Sequence, residues 1–298
     1  AFELAEVSAW TTAQTLSCLA CVWLLWALGW QERPSGKVAT LPYLLKYLAV
    51  MDLCYGLSEL VQIALLARAY DWEWDIVSSD LLCIVTTILC TCFVTCSVLV
   101  ETLIAFAFFF HAFSCDATLA RLRFSVPIVL FIGMMFGFCN AWWSETYFLN
   151  GFCEQRDNNV ADFYFVCLLL GGAIICFLSY AISFVCCCML GHRGVMRRAY
   201  HNLVFYPINY LLTYGLLLLW LAHIIPHKPW ISAVMWTLDG CNGLINALTY
   251  ASQVRGGIFR TLFRRDSTFR QATTLLADDT TDEESKDSHS EWSSDDSM

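Results

Sequence analysis

The chain has 298 residues, of which 58% are hydrophobic and only 14% are charged. Ordinary soluble domains carry roughly a quarter charged residues, so this composition excludes a soluble globular protein and indicates a membrane protein. The net charge of −9 is concentrated in residues 278–298, where nine acidic residues accompany one lysine, and it gives no indication of nucleic-acid binding.

Seven stretches are long and apolar enough to form membrane helices, which need about 20 residues each. In chain order they are residues 8–30, 43–67, 81–112, 124–143, 160–190, 203–225 and 230–252. The sequence therefore predicts an all-α membrane protein, a bundle of seven transmembrane helices within residues 8–254, preceded by a short extracellular segment at 1–7.

Lysine and arginine in the connections predict the orientation, because these residues are enriched on the cytoplasmic side. Fourteen of them fall on one side of the predicted bundle and three on the other. The N-terminus is therefore expected outside and the C-terminus inside. The inner connections carry Arg121, Arg123, Arg193, Arg197 and Arg198, which we expect to face a cytoplasmic partner or the lipid headgroups.

Two of the sixteen cysteines lie on the predicted outer side. Cys83 is at the outer end of the third span, and Cys153 is in the connection between the fourth and fifth spans. Because that side of the membrane is oxidising, a disulfide bond between them is expected.

The segment after the seventh span has two parts. Residues 255–265, "RGGIFRTLFRR", predict a short amphipathic helix that lies on the anionic inner leaflet. Residues 266–298 predict a disordered acidic cytoplasmic tail. Serines and threonines among its acids are candidate phosphorylation sites, which would recruit kinases and an arrestin-like partner.

Four charged side chains fall well inside the predicted spans, away from their ends, namely Asp52, Glu59, Glu101 and Asp239. Such residues are costly in lipid and commonly mark function. In the seventh span a polar stripe is formed by Asp239, Asn242, Asn246 and Tyr250, at steps of three, four and four residues. On a helix this spacing places all four on one face, which we expect to face the bundle interior.

These motifs resemble the G-protein-coupled receptor superfamily across nearly all seven spans. "LAVMD" at 48–52 is similar to the second-helix pattern of rhodopsin-like receptors, and "NALTY" at 246–250 resembles their Asn-Pro-x-x-Tyr, with Ala247 in place of proline. Asn242 and Ser97 also match polar positions of that superfamily. The third span lacks the Asp/Glu-Arg-Tyr triplet, and "FYPINY" at 205–210 looks closer to the cyclic-AMP-receptor and secretin-like branches.

The resemblance implies a plasma-membrane receptor that binds an extracellular ligand and activates a heterotrimeric G protein. It also implies a buried polar network of Asp52, Ser97, Asn242, Asn246, Tyr250 and Glu101. Within it, Asp52, Ser97, Asn242 and Asn246 can hold one sodium ion. From their depth in the spans, Trp220, His223 and Asp239 are candidate ligand-binding residues.

The main alternative is a seven-helix ion channel or transporter that uses the intramembrane carboxylates. No lysine occurs in residues 230–252, so a retinal Schiff base is not expected there. The sequence contains neither HExxH nor GxSxG, and we do not expect an enzyme.

Overall fold

The computed structural model describes residues 2–29, 40–69, 76–113, 115–143, 146–149, 152–155, 159–189, 205–222, 224–226 and 228–255. Its helices are α1 (Phe2–Gly29), α2 (Thr40–Ala69), α3 (Ile76–Ala112), α4 (Asp116–Trp143), α5 (Asn159–Met189), α6 (Phe205–Leu221), α7 (Pro229–Gly240) and α8 (Asn242–Arg255). Strands β1 (Thr146–Leu149) and β2 (Phe152–Gln155) lie between α4 and α5. The chain divides into two units, 1–253 and 254–298. The predicted amphipathic helix beyond Arg255 and the predicted acidic tail lie outside the described residues.

Five of the described helices contain segments long and apolar enough to cross a membrane. These segments are Val7–Gly29, Thr40–Leu65, Leu81–Phe110, Ala117–Trp143 and Phe163–Val185. They coincide with the first five predicted spans, so the prediction of a helical protein with membrane-length apolar helices is confirmed for that part. The sixth predicted span contains a shorter apolar helix, Pro207–Leu221.

The seventh predicted span, residues 230–252, consists of two consecutive helices in the structure, and its prediction as a membrane span stays a prediction. α7 ends at Gly240 and α8 begins at Asn242, with Cys241 forming a turn between them. Helical bonding continues on both sides, since Cys241 N–H donates to Thr237 O and Ile245 N–H donates to Cys241 O. Gly240 explains the position of the interruption, because glycine in a helix costs roughly 0.5–1 kcal/mol relative to alanine.

The outward surface of α4 is apolar from Phe124 to Trp142. Phe124 is 79% exposed and Phe131 is 67% exposed. The same face also exposes Ile128, Met135, Phe138 and Trp142. Their spacing of three or four residues places them on one side of the helix. A continuous apolar face of this kind suits lipid rather than water.

The opposite face of α4 packs closely on α3 through two glycines one turn apart, Gly133 and Gly137. The thiols of Cys92 and Cys96 on α3 donate to the backbone carbonyls of Met134 and Leu130, at 3.3 and 3.4 Å. Small residues allow two membrane helices to approach in this way.

Gly137→Ala is expected to lower the thermal stability of the protein. A Cβ at residue 137 would lie 2.5 Å from the Cα of Cys92, so the helix backbones must separate. Overpacking of this kind typically costs about 1–3 kcal/mol. Gly171→Ala on α5 is the matched control, because a Cβ there meets no atom within 4 Å. Thermal unfolding of both variants in nanodiscs tests this, and equal melting temperatures would contradict it.

The connection between α4 and α5 is a β-hairpin, which the sequence analysis did not predict. β1 pairs antiparallel with β2, with Leu149 opposite Phe152 and Phe148 opposite Cys153. The sequence between the strands is Asn-Gly, a strong signal for a two-residue hairpin turn. Both strands pack against α3, the helix that carries Cys83.

Candidate functional site

Polar side chains of four helices meet in one hydrogen-bonded group inside the bundle, which we term the Asp52 cluster. Its members are Asp52 on α2, Ser97 and Glu101 on α3, Tyr214 on α6, and Asn242 and Asn246 on α8. The cluster therefore connects α2, α3, α6 and α8.

Asp52 accepts three hydrogen bonds from neutral donors. The hydroxyl of Ser97 donates to Oδ1 at 2.5 Å, and the amide of Asn242 donates to the same oxygen at 3.1 Å. The amide of Asn246 donates to Oδ2 at 3.1 Å. Asp52 is only 4% exposed. A buried carboxylate needs such bonds, because losing its hydration in lipid is very costly.

Asn246 joins two carboxyl groups through one amide nitrogen. Its Nδ2 lies 3.1 Å from Oδ2 of Asp52, 3.1 Å from Oε1 of Glu101 and 3.3 Å from Oδ1 of Asn242. An amide nitrogen carries two hydrogens, so it cannot satisfy three acceptors fully. Among the described residues, Oε2 of Glu101 is buried and has no hydrogen-bond partner. The cluster therefore has more acceptors than donors.

Tyr214 belongs to the Asp52 cluster although the sequence analysis did not select it. The amide of Asn242 lies 2.9 Å from its hydroxyl oxygen, and the ring is buried. The only sequence signal is a phenol within the apolar run "LLTYGLLLL". Tyr250, which was predicted to belong to the network, is buried on α8 about one turn beyond Asn246.

The polar stripe of the seventh span faces two different groups rather than one. Asp239 on α7 does not bond to Asp52; its Oδ2 accepts a hydrogen bond from the hydroxyl of Tyr55 on α2. Glu59, one turn along α2 from Tyr55, interacts with Tyr55 and with Asp239. We term the side chains of Tyr55, Glu59 and Asp239 the Asp239 cluster.

Gln14 of α1 lies beside two glycines, each of which adjoins a member of the Asp239 cluster in sequence. A Cβ at Gly240, next to Asp239, would lie 3.3 Å from the amide nitrogen of Gln14. A Cβ at Gly56, next to Tyr55, would lie 3.2 Å from the amide oxygen of Gln14. One turn earlier on α1, the ring of Trp10 packs on Trp236, with centroids 6.1 Å apart. These contacts place α1 against α2 and α7.

Of the other two predicted ligand-binding residues, the structure describes Trp220. Trp220 is half-buried and packs against the hydrophobic core. His223 lies outside the described residues. Asp239 is 2% exposed, which puts its carboxyl group inside the bundle rather than on an open surface.

The predicted basic surface is described for only two of its five arginines. Arg121 is exposed at the start of α4. Arg123 is half-buried, and its Nε donates to the hydroxyl of Thr40 at 3.1 Å, which ties α4 to the start of α2. Arg193, Arg197 and Arg198 lie outside the described residues.

The side chain of Cys83 is fully buried on α3 and takes part in a disulfide bond. Its pairing with Cys153 stays a prediction, because the side chain of Cys153 lies outside those that the structure describes. The backbone of β2, which carries Cys153, packs against α3.

No protein-family model matches the chain, and the comparison with curated proteins finds no relative.

Proposed function

We propose that the protein is a seven-helix receptor of the plasma membrane, which transmits the binding of an extracellular ligand to a heterotrimeric G protein. The observation that supports this most is the Asp52 cluster. It joins Asp52, Ser97, Asn242 and Asn246 at the positions where the sequence resembles G-protein-coupled receptors. In this proposal α6 is the sixth span, and α7 with α8 is the seventh.

The Asp52 cluster is suited to a two-state mechanism. Its bonds connect helices that have no covalent link near this depth, and its acceptors outnumber its donors. Two arrangements of the same side chains can then lie within a few kcal/mol of each other. A ligand on the outer side and a G protein on the inner side would each favour one arrangement, which couples the two sites.

The proposed orientation places the N-terminus outside and the tail inside, in accord with the distribution of basic residues. A Cys83–Cys153 disulfide would then attach the hairpin to the outer end of α3, beside the entrance for a ligand. The acidic tail would be the substrate of kinases and the contact for an arrestin-like partner.

Sodium is the ion that the Asp52 cluster would hold under this proposal. The residues fit it, because Oε2 of Glu101 is a buried acceptor without a described partner beside Asn246. A cation there would neutralise part of the charge of Asp52 and Glu101. It would stabilise the helix arrangement in which Asp52, Ser97, Asn242 and Asn246 remain in contact.

A cation or proton channel or transporter is the second candidate, and one observation favours it. The carboxyl groups of Glu59, Asp239, Asp52 and Glu101 form a series in which each interacts electrostatically with the next. Glu59, Asp239 and Asp52 are buried and Glu101 is half-buried, and every donor in their described hydrogen bonds is neutral. Sodium or proton flux into liposomes that contain the purified protein would favour this candidate.

The receptor proposal predicts that the purified protein in nanodiscs accelerates GTPγS uptake by at least one G-protein family. Reversing two charges, Arg197→Glu with Arg198→Glu, should reduce that uptake to the level of empty nanodiscs, because both arginines lie on the predicted inner surface. Lys228→Glu is the matched control, since this residue lies on the predicted outer side. No acceleration by the wild type with any G-protein family would refute the receptor function.

A further inference from the structure

We propose that the groove between α2 and α4 is a binding site for one anionic phospholipid, whose headgroup phosphate accepts hydrogen bonds from Arg123. This site does not depend on the receptor proposal, because it follows from the packing and charge of two helices. We term it the Arg123 groove. Its lining residues are all half-buried or exposed, namely Tyr43, Tyr47 and Val50 on α2 and Arg123, Pro127 and Met134 on α4.

The groove begins where α2 and α4 are bonded to each other. The hydroxyl of Thr40 donates to Leu119 O at 3.4 Å and accepts from Nε of Arg123 at 3.1 Å. Both helices pack mainly on α3 and much less on each other, so α3 forms the floor. On α2 the lining begins three residues after Thr40 and continues at steps of four and three; on α4 it begins at Arg123 and continues at steps of four and seven. Such steps place side chains along one side of a helix.

Arg123 is held in position but retains unused donors. A guanidinium group has five N–H groups, and the described bond to Thr40 uses one of them. The others have no partner among the described hydrogen bonds, and arginine binds phosphate through two parallel N–H bonds. On α2 the hydroxyl of Tyr43 donates to that of Tyr47 at 3.2 Å, which leaves the hydrogen of Tyr47 for a further acceptor. These groups together suit the oxygens of a phosphate.

The charge around the groove favours an anionic lipid over a zwitterionic one. Residues 40–51 and 117–143 contain no aspartate or glutamate, whereas they carry Lys46, Arg121 and Arg123. All three basic residues lie on the predicted inner side of the membrane, and the cytoplasmic leaflet is the one that carries anionic lipids. The excess of positive charge therefore matches the leaflet that this end of the groove would contact.

The apolar part of the groove has the length of one lipid leaflet. Arg123 and Met134 are eleven residues apart, which corresponds to about 16 Å along a helix. The hydrocarbon of one leaflet is about 15 Å thick, half that of a bilayer. Only 17% of the apolar stretch in α4 is buried, the lowest share of the five long helices that the structure describes. A phospholipid can therefore place its phosphate at Arg123 and an acyl chain along the groove.

The test uses the full chain in a neutral detergent and native mass spectrometry. Palmitoyl-oleoyl phosphatidylserine is compared with the phosphatidylcholine that has the same acyl chains. The wild type should bind one phosphatidylserine about fivefold more tightly, the ratio expected for one basic residue at a headgroup. Arg123→Gln should abolish this preference. Arg121→Gln is the matched control and should retain it, because Arg121 is exposed on another side of the same helix end.

A second variant tests the apolar part without altering a polar group. Val50 is 36% exposed, so Val50→Trp can be accommodated and would fill the groove. It should weaken phosphatidylserine binding about fivefold, a change comparable to that for Arg123→Gln. Leu178→Trp is its control, since this side chain is 56% exposed on α5. Melting temperatures of all four variants verify folding, and Val50→Trp decides the matter if Arg123→Gln folds poorly.

Four results would overturn the proposal. The first is equal affinity of the wild type for the two lipids. The second is an equal loss in Arg121→Gln and Arg123→Gln, which would show attraction to a general basic surface. The third is equal binding of water-soluble glycerophosphoserine, which would show a site for a free anion, and the fourth is a Val50→Trp variant that folds and binds phosphatidylserine like the wild type.

Discussion

Asn246→Ala is expected to destabilise the protein by about 2–5 kcal/mol, because it removes the donor that Asp52 and Glu101 share. Two buried carboxyl groups would then lose a bond and keep their mutual repulsion. Denaturation of the purified protein at several denaturant concentrations measures the change. Leu248→Ala is a suitable control, because this side chain is on the same helix but 47% exposed.

The same contact can be isolated by a double-mutant cycle. If Asn246 acts on Asp52 directly, the cost of Asn246→Ala should fall by about 0.5–3 kcal/mol in an Asp52→Asn background. Glu101→Gln should give a second, separate coupling, since Asn246 also bonds to Glu101. Strict additivity in both cycles would show that the amide does not link these carboxyl groups in solution.

Cys83→Ala is expected to reduce stability by about 2–5 kcal/mol, the usual effect of losing a native disulfide. Cys83 is fully buried on α3, and its sulfur takes part in a disulfide. If Cys153 is the partner, Cys153→Ala should have the same effect, and the double variant should be no less stable than either single one. Melting temperatures with and without reductant provide the measurement.

Cys139→Ala serves as the control for the cysteine series. Cys139 is an exposed free thiol on α4, so its replacement should change neither the melting temperature nor the response to reductant. Non-reducing peptide mapping then identifies the partner of Cys83. A peptide that joins Cys83 to any cysteine other than Cys153 would refute the predicted pairing.

The sequence was most informative where a polar residue interrupts an apolar run. Asp52, Glu101, Asn242 and Asn246 were selected on that basis, and the structure places them within one set of hydrogen bonds. Polar groups in an apolar helix have few options other than one another, so their mutual contact follows from composition and periodicity. The first five long apolar helices follow from the same reasoning.

The partners of Asp239 could not be predicted in this way. Tyr55 is a common residue whose contact with Asp239 depends on the rotation and depth of α2 and α7, which periodicity within one helix does not define. Gly56 and Gly240 are equally ordinary in sequence, and only the packed bundle shows that both adjoin Gln14. The hairpin differs in this respect, because the Asn-Gly pair at residues 150–151 is a local sequence signal for its turn.

The interruption at Cys241 lies between the two polar clusters, with Asp239 on one side and Asn242 on the other. The turn at this position divides the polar residues of the seventh span into two sets, one on α7 and one on α8. α7 is bonded to α2 through Asp239 and Tyr55, whereas α8 is bonded to α2 through Asp52, to which Asn242 and Asn246 donate. Two separate sets of bonds therefore anchor the seventh span to α2, so that the loss of one set leaves the other in place.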